Sequence, residues 1–183
     1  MTKRFFPVLI TLLPFLSACF NGESTKDIPA VTNFDLKKYM GIWYEIARYP
    51  HSFEKDLSHV SAEYVLQKNQ TVAVINRGRK NGREKVIRGI AKAEKKHCGE
   101  LKVSFFRPFY GKYRIIYLNE KDAVAIVTSS SKKYLWVLAR KKEIPEEMFR
   151  EAVRFIESKG FRKDLLIRVD QTDPPQKKED RHH

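Results

Sequence analysis

Between Trp43 and Arg140 the chain runs in short stretches of alternating apolar and polar residues, and turn-forming clusters separate the stretches. Eight of them predict strands: Trp43–Tyr49, Val60–Leu66, Thr71–Arg77, Lys85–Ala93, Leu101–Phe106, Tyr113–Leu118, Ala123–Thr128 and Tyr134–Arg140. They are rich in Val, Ile, Tyr and Phe, which suit a pleated, half-buried surface. The separators are Lys68-Asn69-Gln70, Lys80-Asn81-Gly82, Cys98-Gly99, Asn119-Glu120-Lys121-Asp122 and Ser129-Ser130-Ser131. Spacings this short join antiparallel neighbours through hairpins.

Successive side chains of a strand point to opposite faces, so each run can be sorted into two sets. Ile87, Gly89, Ala91 and Ala93 oppose Val86, Arg88, Ile90 and Lys92; Leu101, Val103 and Phe105 oppose Lys102, Ser104 and Phe106. Tyr113, Ile115 and Tyr117 oppose Arg114, Ile116 and Leu118. The first set is apolar each time and the second is mixed, as expected if a helix covers part of the outer face. An eight-stranded antiparallel sheet with one apolar face can close on itself and so remove its edges. The expected fold is all-β with one helix, an eight-stranded up-and-down barrel. Ile87, Ala91, Val103, Phe105, Tyr113, Tyr117 and Trp136 are expected to line its interior.

The helix follows the eighth strand. Pro145 suits a first helical position, Glu146 and Glu147 the positive end, Lys159 the negative end and Gly160 a C-terminal cap. Met148, Phe149, Ala152, Val153 and Ile156 form one apolar stripe. A membrane-surface helix is the alternative, but the polar face mixes both signs of charge, which favours packing on the sheet. Asp164–Val169 reads as a short last strand.

The chain ends read differently. Lys3-Arg4 precede an uncharged run, Phe5–Ala18, with the layout of a secretory signal. The run is shorter than the roughly 20 apolar residues of a membrane span, and Pro7 and Pro14 interrupt it. Its end, Leu16-Ser17-Ala18-Cys19, resembles the lipobox of bacterial lipoproteins. That resemblance implies cleavage before Cys19 and its acylation by several chains; an ordinary signal peptide that happens to contain a cysteine, or an uncleaved anchor, is the alternative. Phe20 follows, not the Asp that in such lipoproteins favours the inner membrane, so the expected location is the outer membrane, facing the periplasm. The expected divisions are a signal (1–18), a lipidated tether (19–33), a barrel domain (34–170) and a disordered tail (171–183).

The net charge of the precursor is +14. An exported protein has little opportunity to meet nucleic acid, so an anionic lipid surface is the more natural partner, with a merely solvated basic face as the alternative. If Cys19 is acylated, Cys98 has no disulfide partner, and Lys95-Lys96-His97-Cys98-Gly99 reads as an exposed turn. No Gly-x-Ser-x-Gly elbow, His-Glu-x-x-His or paired-Cys metal motif appears. A hydrolase would have to draw on Ser58-His59, Ser104 or His97 with Asp56 or Asp122.

Three segments carry a family resemblance. Gly41-Ile42-Trp43-Tyr44-Glu45-Ile46-Ala47-Arg48 is similar to the Gly-x-Trp-Tyr first strand of the lipocalins, and Tyr134-Leu135-Trp136-Val137-Leu138-Ala139-Arg140 to their last barrel strand. Lys102-Val103-Ser104-Phe105-Phe106-Arg107-Pro108-Phe109-Tyr110-Gly111 resembles the bacterial lipoprotein branch related to apolipoprotein D. Asn119-Glu120-Lys121 departs from the Thr-Asp-Tyr of many members. The resemblance implies that Gly41, Trp43 and Arg140 are structural, with Arg140 packed across the Trp43 indole at the closed end. It also implies a small hydrophobic ligand, a fatty acid or lysophospholipid, held for storage, transport or repair. A structural or protein-docking lipoprotein without a ligand is the alternative, and an exported hydrolase a further one.

Overall fold

Eight strands follow one another around a closed ring in the computed structural model, which describes residues 22–94, 97–119, 121 and 123–172. They are β1 (Gly41–Arg48), β2 (Ser58–Leu66), β3 (Val72–Lys80), β4 (Arg83–Ala93), β5 (Glu100–Phe106), β6 (Phe109–Asn119), β7 (Val124–Thr128) and β8 (Leu135–Ala139). Each pairs antiparallel with the next, and β1 pairs with both β2 and β8. The ring leaves none of these eight with a wholly unpaired side. Strand β9 (Ile167–Arg168) adds to β1 at Ala47 and Arg48, inside the predicted final strand. The signal, Cys19 and the tail from residue 173 lie outside the described residues.

An up-and-down ring has two distinct ends. Loop 49–57 and the connections after β3, β5 and β7 gather at one end, the mouth. The connections after β2, β4 and β6 gather at the other, the floor, where the short helix α1 (Leu36–Tyr39) also lies. Asp35 begins α1, its carboxylate accepting from the Lys37 and Lys38 amides.

The apolar residues form two clusters, one on each face of the same strands. The inner cluster holds Phe34, Tyr39, Trp43, Tyr64, Val72 and Leu101 among others. The outer cluster holds Ile46, Ile126, Leu135 and Val137 beneath the helix α2 (Glu146–Ser158), which contributes Ala152 and Ile156. Gly160 ends that turn at φ +74°, a conformation that side chains disfavour. Arg168 fastens the helix from outside, bonding Glu146 at 2.6 Å and lying 3.3 Å from the Phe149 ring centroid.

Residues 22–33, most of the expected tether, pack against the barrel. Thr25 and Ile28 are buried, and the segment runs down the barrel wall as a strap. Arg114, itself buried, donates to the carbonyls of Thr25 and Ile28 while bonding Glu100 at 2.9 Å. Lower down, Val31 exchanges backbone bonds with Ile115 and Gly99 at 2.9 Å each. A guanidinium spends its donors on carbonyls that would otherwise be buried unpaired.

Candidate functional site

The barrel interior is built in layers from the floor upward. Trp43 is 2 % exposed; its indole Nε1 donates to the Tyr39 carbonyl at 2.9 Å, and Tyr39 stacks on it at 4.8 Å. The Arg140 guanidinium lies 4.0 Å from the Trp43 ring centroid and donates to the carbonyls of Ile42 and Lys38 at 2.9 Å each. Its charge is thereby held over an aromatic face with hydrogen bonds satisfied. Gly41 begins the strand at φ +94°, a conformation that side chains disfavour.

Above the floor, three phenols meet. Tyr113 Oη lies 2.7 Å from Tyr39 Oη and accepts from Tyr64 Oη at 2.9 Å. Burial pushes all three hydroxyls up, so they stay neutral donors and acceptors. Val72, Val74, Ala91, Ile115 and Val127 seal this level.

Nearer the mouth the wall turns polar. Arg48 Nη1 donates to Glu45 Oε1 at 2.6 Å, and Nη2 to the carbonyls of Glu54 and Leu57 at 2.8 and 3.1 Å. Trp136 Nε1 donates to Glu54 Oε2 at 3.2 Å, and Gln171 Nε2 to the carbonyls of Glu45 and Val60 at 2.8 Å. His51 stacks on Phe53 at 4.0 Å, with Nε2 3.1 Å from Glu54 Oε2 but misaligned for a hydrogen bond. Two effects oppose each other at Glu45. Burial and the Glu54 charge favour the acid, Arg48 favours the carboxylate, and burial wins, pushing the carboxyl up to about 8.

Of the residues expected to line the interior, Ala91, Val103, Phe105, Tyr113 and Trp136 belong to the inner cluster. Ile87 shares their face through its register with Asn76 and is 40 % exposed. Phe105 packs over Gly89, where a Cβ would meet the Ser104 carbonyl and the phenyl ring at 2.6 and 2.7 Å. Tyr117 is a correction: it faces outward. A register shift between Ile115 and Tyr117 inserts one residue in β6. Tyr117 therefore joins the outer cluster, 4.9 Å from Phe155, and donates to Glu151 at 2.9 Å.

Sequence reasoning missed the polar layer. Glu45 was legible, two positions from Trp43 on the same strand face. Arg48 was not, because a second register shift, between Glu45 and Ala47, reverses the alternation. Gln171 lay in a segment read as tail. His59, one of the hydrolase candidates, bonds Ser58 at 2.9 Å and the Thr172 carbonyl at 2.6 Å through its two ring nitrogens. Cys98 is a half-buried free thiol beside Thr32. Among the described residues no three His, Cys, Asp or Glu side chains group as metal ligands.

Comparison with known proteins agrees with this architecture. Residues 34–171 match the model of the Lipocalin-like domain. The chain is 38% identical to Outer membrane lipoprotein Blc of Citrobacter freundii, over 92% of this chain and 98% of that one. It is 30% identical to bovine (Bos taurus) Apolipoprotein D, over 93% and 98%. Insecticyanin from the tobacco hornworm Manduca sexta has the same fold, with a TM-score of 0.69 at 19% identity over 83% of this chain and 88% of that one.

Proposed function

The chain belongs to the lipocalin family, and from that membership we propose that its barrel holds a single-chain lipid, a fatty acid or a lysophospholipid. The observation that carries this reading is the uneven cover of the inner wall. Val72, Val74, Ala91 and Val127 are sealed, whereas Ile87, Val103, Phe105 and Trp136 on the same inner face remain partly exposed. Apolar area left wet forgoes about 25 cal/mol per Å², and an acyl chain entering from the mouth would cover it.

The polar layer suits the other end of such a ligand. Arg48 offers charge, and both His51 ring nitrogens and Asn76 Oδ1 are buried without hydrogen-bond partners. A buried polar atom left unpaired costs about 1–3 kcal/mol, which a carboxylate or phosphodiester head group with its water would offset. Acylation at Cys19 would keep the domain at the outer membrane, where the name of the Citrobacter relative places that protein. Storage, transport or repair of envelope lipids are roles consistent with both features. The reading involves no chemical step, in keeping with a family of binding proteins.

Native mass spectrometry of delipidated protein, before and after incubation with oleate or lysophosphatidylethanolamine, tests it. One retained lipid per chain is the expected result. A chain that takes up neither would instead favour a structural or docking lipoprotein without a ligand.

A further inference from the structure

The mouth carries large aromatic side chains that remain largely exposed among the described residues. Phe106 and Phe109 pair across the β5–β6 hairpin and are 73 % and 78 % exposed; Phe53 on loop 49–57 is 63 % exposed. Large exposed apolar side chains gathered at one end of a barrel are candidates for an interaction surface. Beside it stands a basic hairpin. Lys80, Asn81, Arg83 and Lys85 line a hollow of about 430 Å³ at the tip of β3 and β4. Aromatic tips set among cations match a bilayer surface, where rings enter the acyl boundary and cations meet anionic head groups.

The chain's own anchor points the same way. Glu23 and Thr25 are stitched to the loop after β7, at the mouth. The Thr25 amide donates to the Ser130 carbonyl at 3.2 Å, the Lys132 amide to the Glu23 carbonyl at 2.8 Å, and Lys132 Nζ to Glu23 Oε2 at 2.8 Å. Gly22 lies against Ser131 and Lys133. Cys19 precedes Gly22 by three residues, a reach of about 10 Å at full extension. To present its floor to the membrane instead, the chain would have to span a barrel whose strand β6 of 11 residues is roughly 35 Å long. That reach is too short.

We infer that the mouth of the barrel docks on the anionic lipid surface that holds the anchor. Phe53, Phe106 and Phe109 enter the acyl boundary, and Arg83 and Lys85 face the head groups. The docking rests on acylation of Cys19 but not on an occupied barrel. It would let a lipid pass between bilayer and interior without crossing water, which the proposed cargo requires.

Full-length acylated protein in vesicles of phosphatidylethanolamine and phosphatidylglycerol, with a doxyl quencher shallow in the acyl chains, provides the test. Phe109→Trp reports the mouth and Lys68→Trp, in the exposed turn after β2, the floor, each against the wild-type tryptophan background. Phe109→Trp should be quenched and Lys68→Trp spared, given the separation of the two ends. Adding Arg83→Glu and Lys85→Glu should lower that quenching. Equal quenching of the two reporters overturns the inference. So does a dimer in solution that Phe109→Ser abolishes, because the patch would then belong to a second copy. A chain whose mass shows no acyl group removes the anchor and the docking with it. The cargo reading fails separately: a barrel that retains no lipid by mass leaves the quenching contrast in place.

Discussion

The two apolar clusters share the same eight strands yet are finished differently. On the outer face Ile126, Leu135, Val137 and Ile156 have no exposure, because α2 lies over them and brings its own apolar stripe. On the inner face the floor is finished the same way, by α1, Trp43 and Arg140. Toward the mouth the described residues supply no such cover, and Ile87 on the inner wall remains 40 % exposed. The difference teaches that alternation along a strand reports which residues share a face, but not whether that face is packed solid. Whether it is solid depends on what the rest of the chain lays against it.

The contrast can be broken hardest at the floor. Trp43→Ala should cost about 3–5 kcal/mol of stability by chemical denaturation, because it removes a buried indole and the aromatic face under Arg140. A midpoint equal to wild type would mean that the floor is not a packed core. Ala91 belongs to the same sealed level, with no exposure. Ala91→Asp places an unpaired charge where water does not reach, so a loss of about 3 kcal/mol or more is expected. A stably folded variant defective only in lipid uptake would extend the open region down to this level.

The polar layer gives a pH signature. With the Glu45 carboxyl held up at about 8, the folded protein keeps a proton that the unfolded chain has released above its ordinary value. Stability should therefore be greatest below the ordinary carboxyl range and fall as pH rises toward 8, by at most about 1.4 kcal/mol per pH unit. Glu45→Gln should flatten that slope. A slope unchanged in the variant would place the titrating group elsewhere. The smallest effect is expected at Tyr117. Tyr117→Phe loses one bond to an exposed carboxylate, worth about 0.5–1.5 kcal/mol, and should leave lipid affinity as it was. A weakened affinity would return Tyr117 to the interior.

Much of this was legible in the sequence, and the exceptions have local causes. The hairpin turns between apolar runs located all eight strands, and Pro145, the Met148–Ile156 stripe and Gly160 located the helix within a residue or two. Trp43 and Arg140 stood out through family motifs rather than through any property of the residues alone. Tyr117 was misplaced because Ile115-Ile116-Tyr117-Leu118 is apolar on both faces. In such a run an inserted residue leaves no mark in the pattern. Arg48 was hidden by the same device in β1. The strap escaped notice because its burial depends on Arg114, nearly ninety positions away, reaching the Thr25 and Ile28 carbonyls. Short polar segments are fixed by such distant partners, which local composition does not record.

The central claim is that the inner wall near the mouth is open to a lipid while its outward neighbours are not part of the site. Displacement of a fluorescent fatty acid, measured side by side for Ile87→Asp and Arg88→Asp, tests it most directly. Ile87 and Arg88 are adjacent on β4, point to opposite faces and are both exposed, so a carboxylate at either should shift stability by no more than about 0.5 kcal/mol. Ile87→Asp should lose most of the affinity and Arg88→Asp should keep it. Equal affinity in the two variants and wild type would contradict the claim.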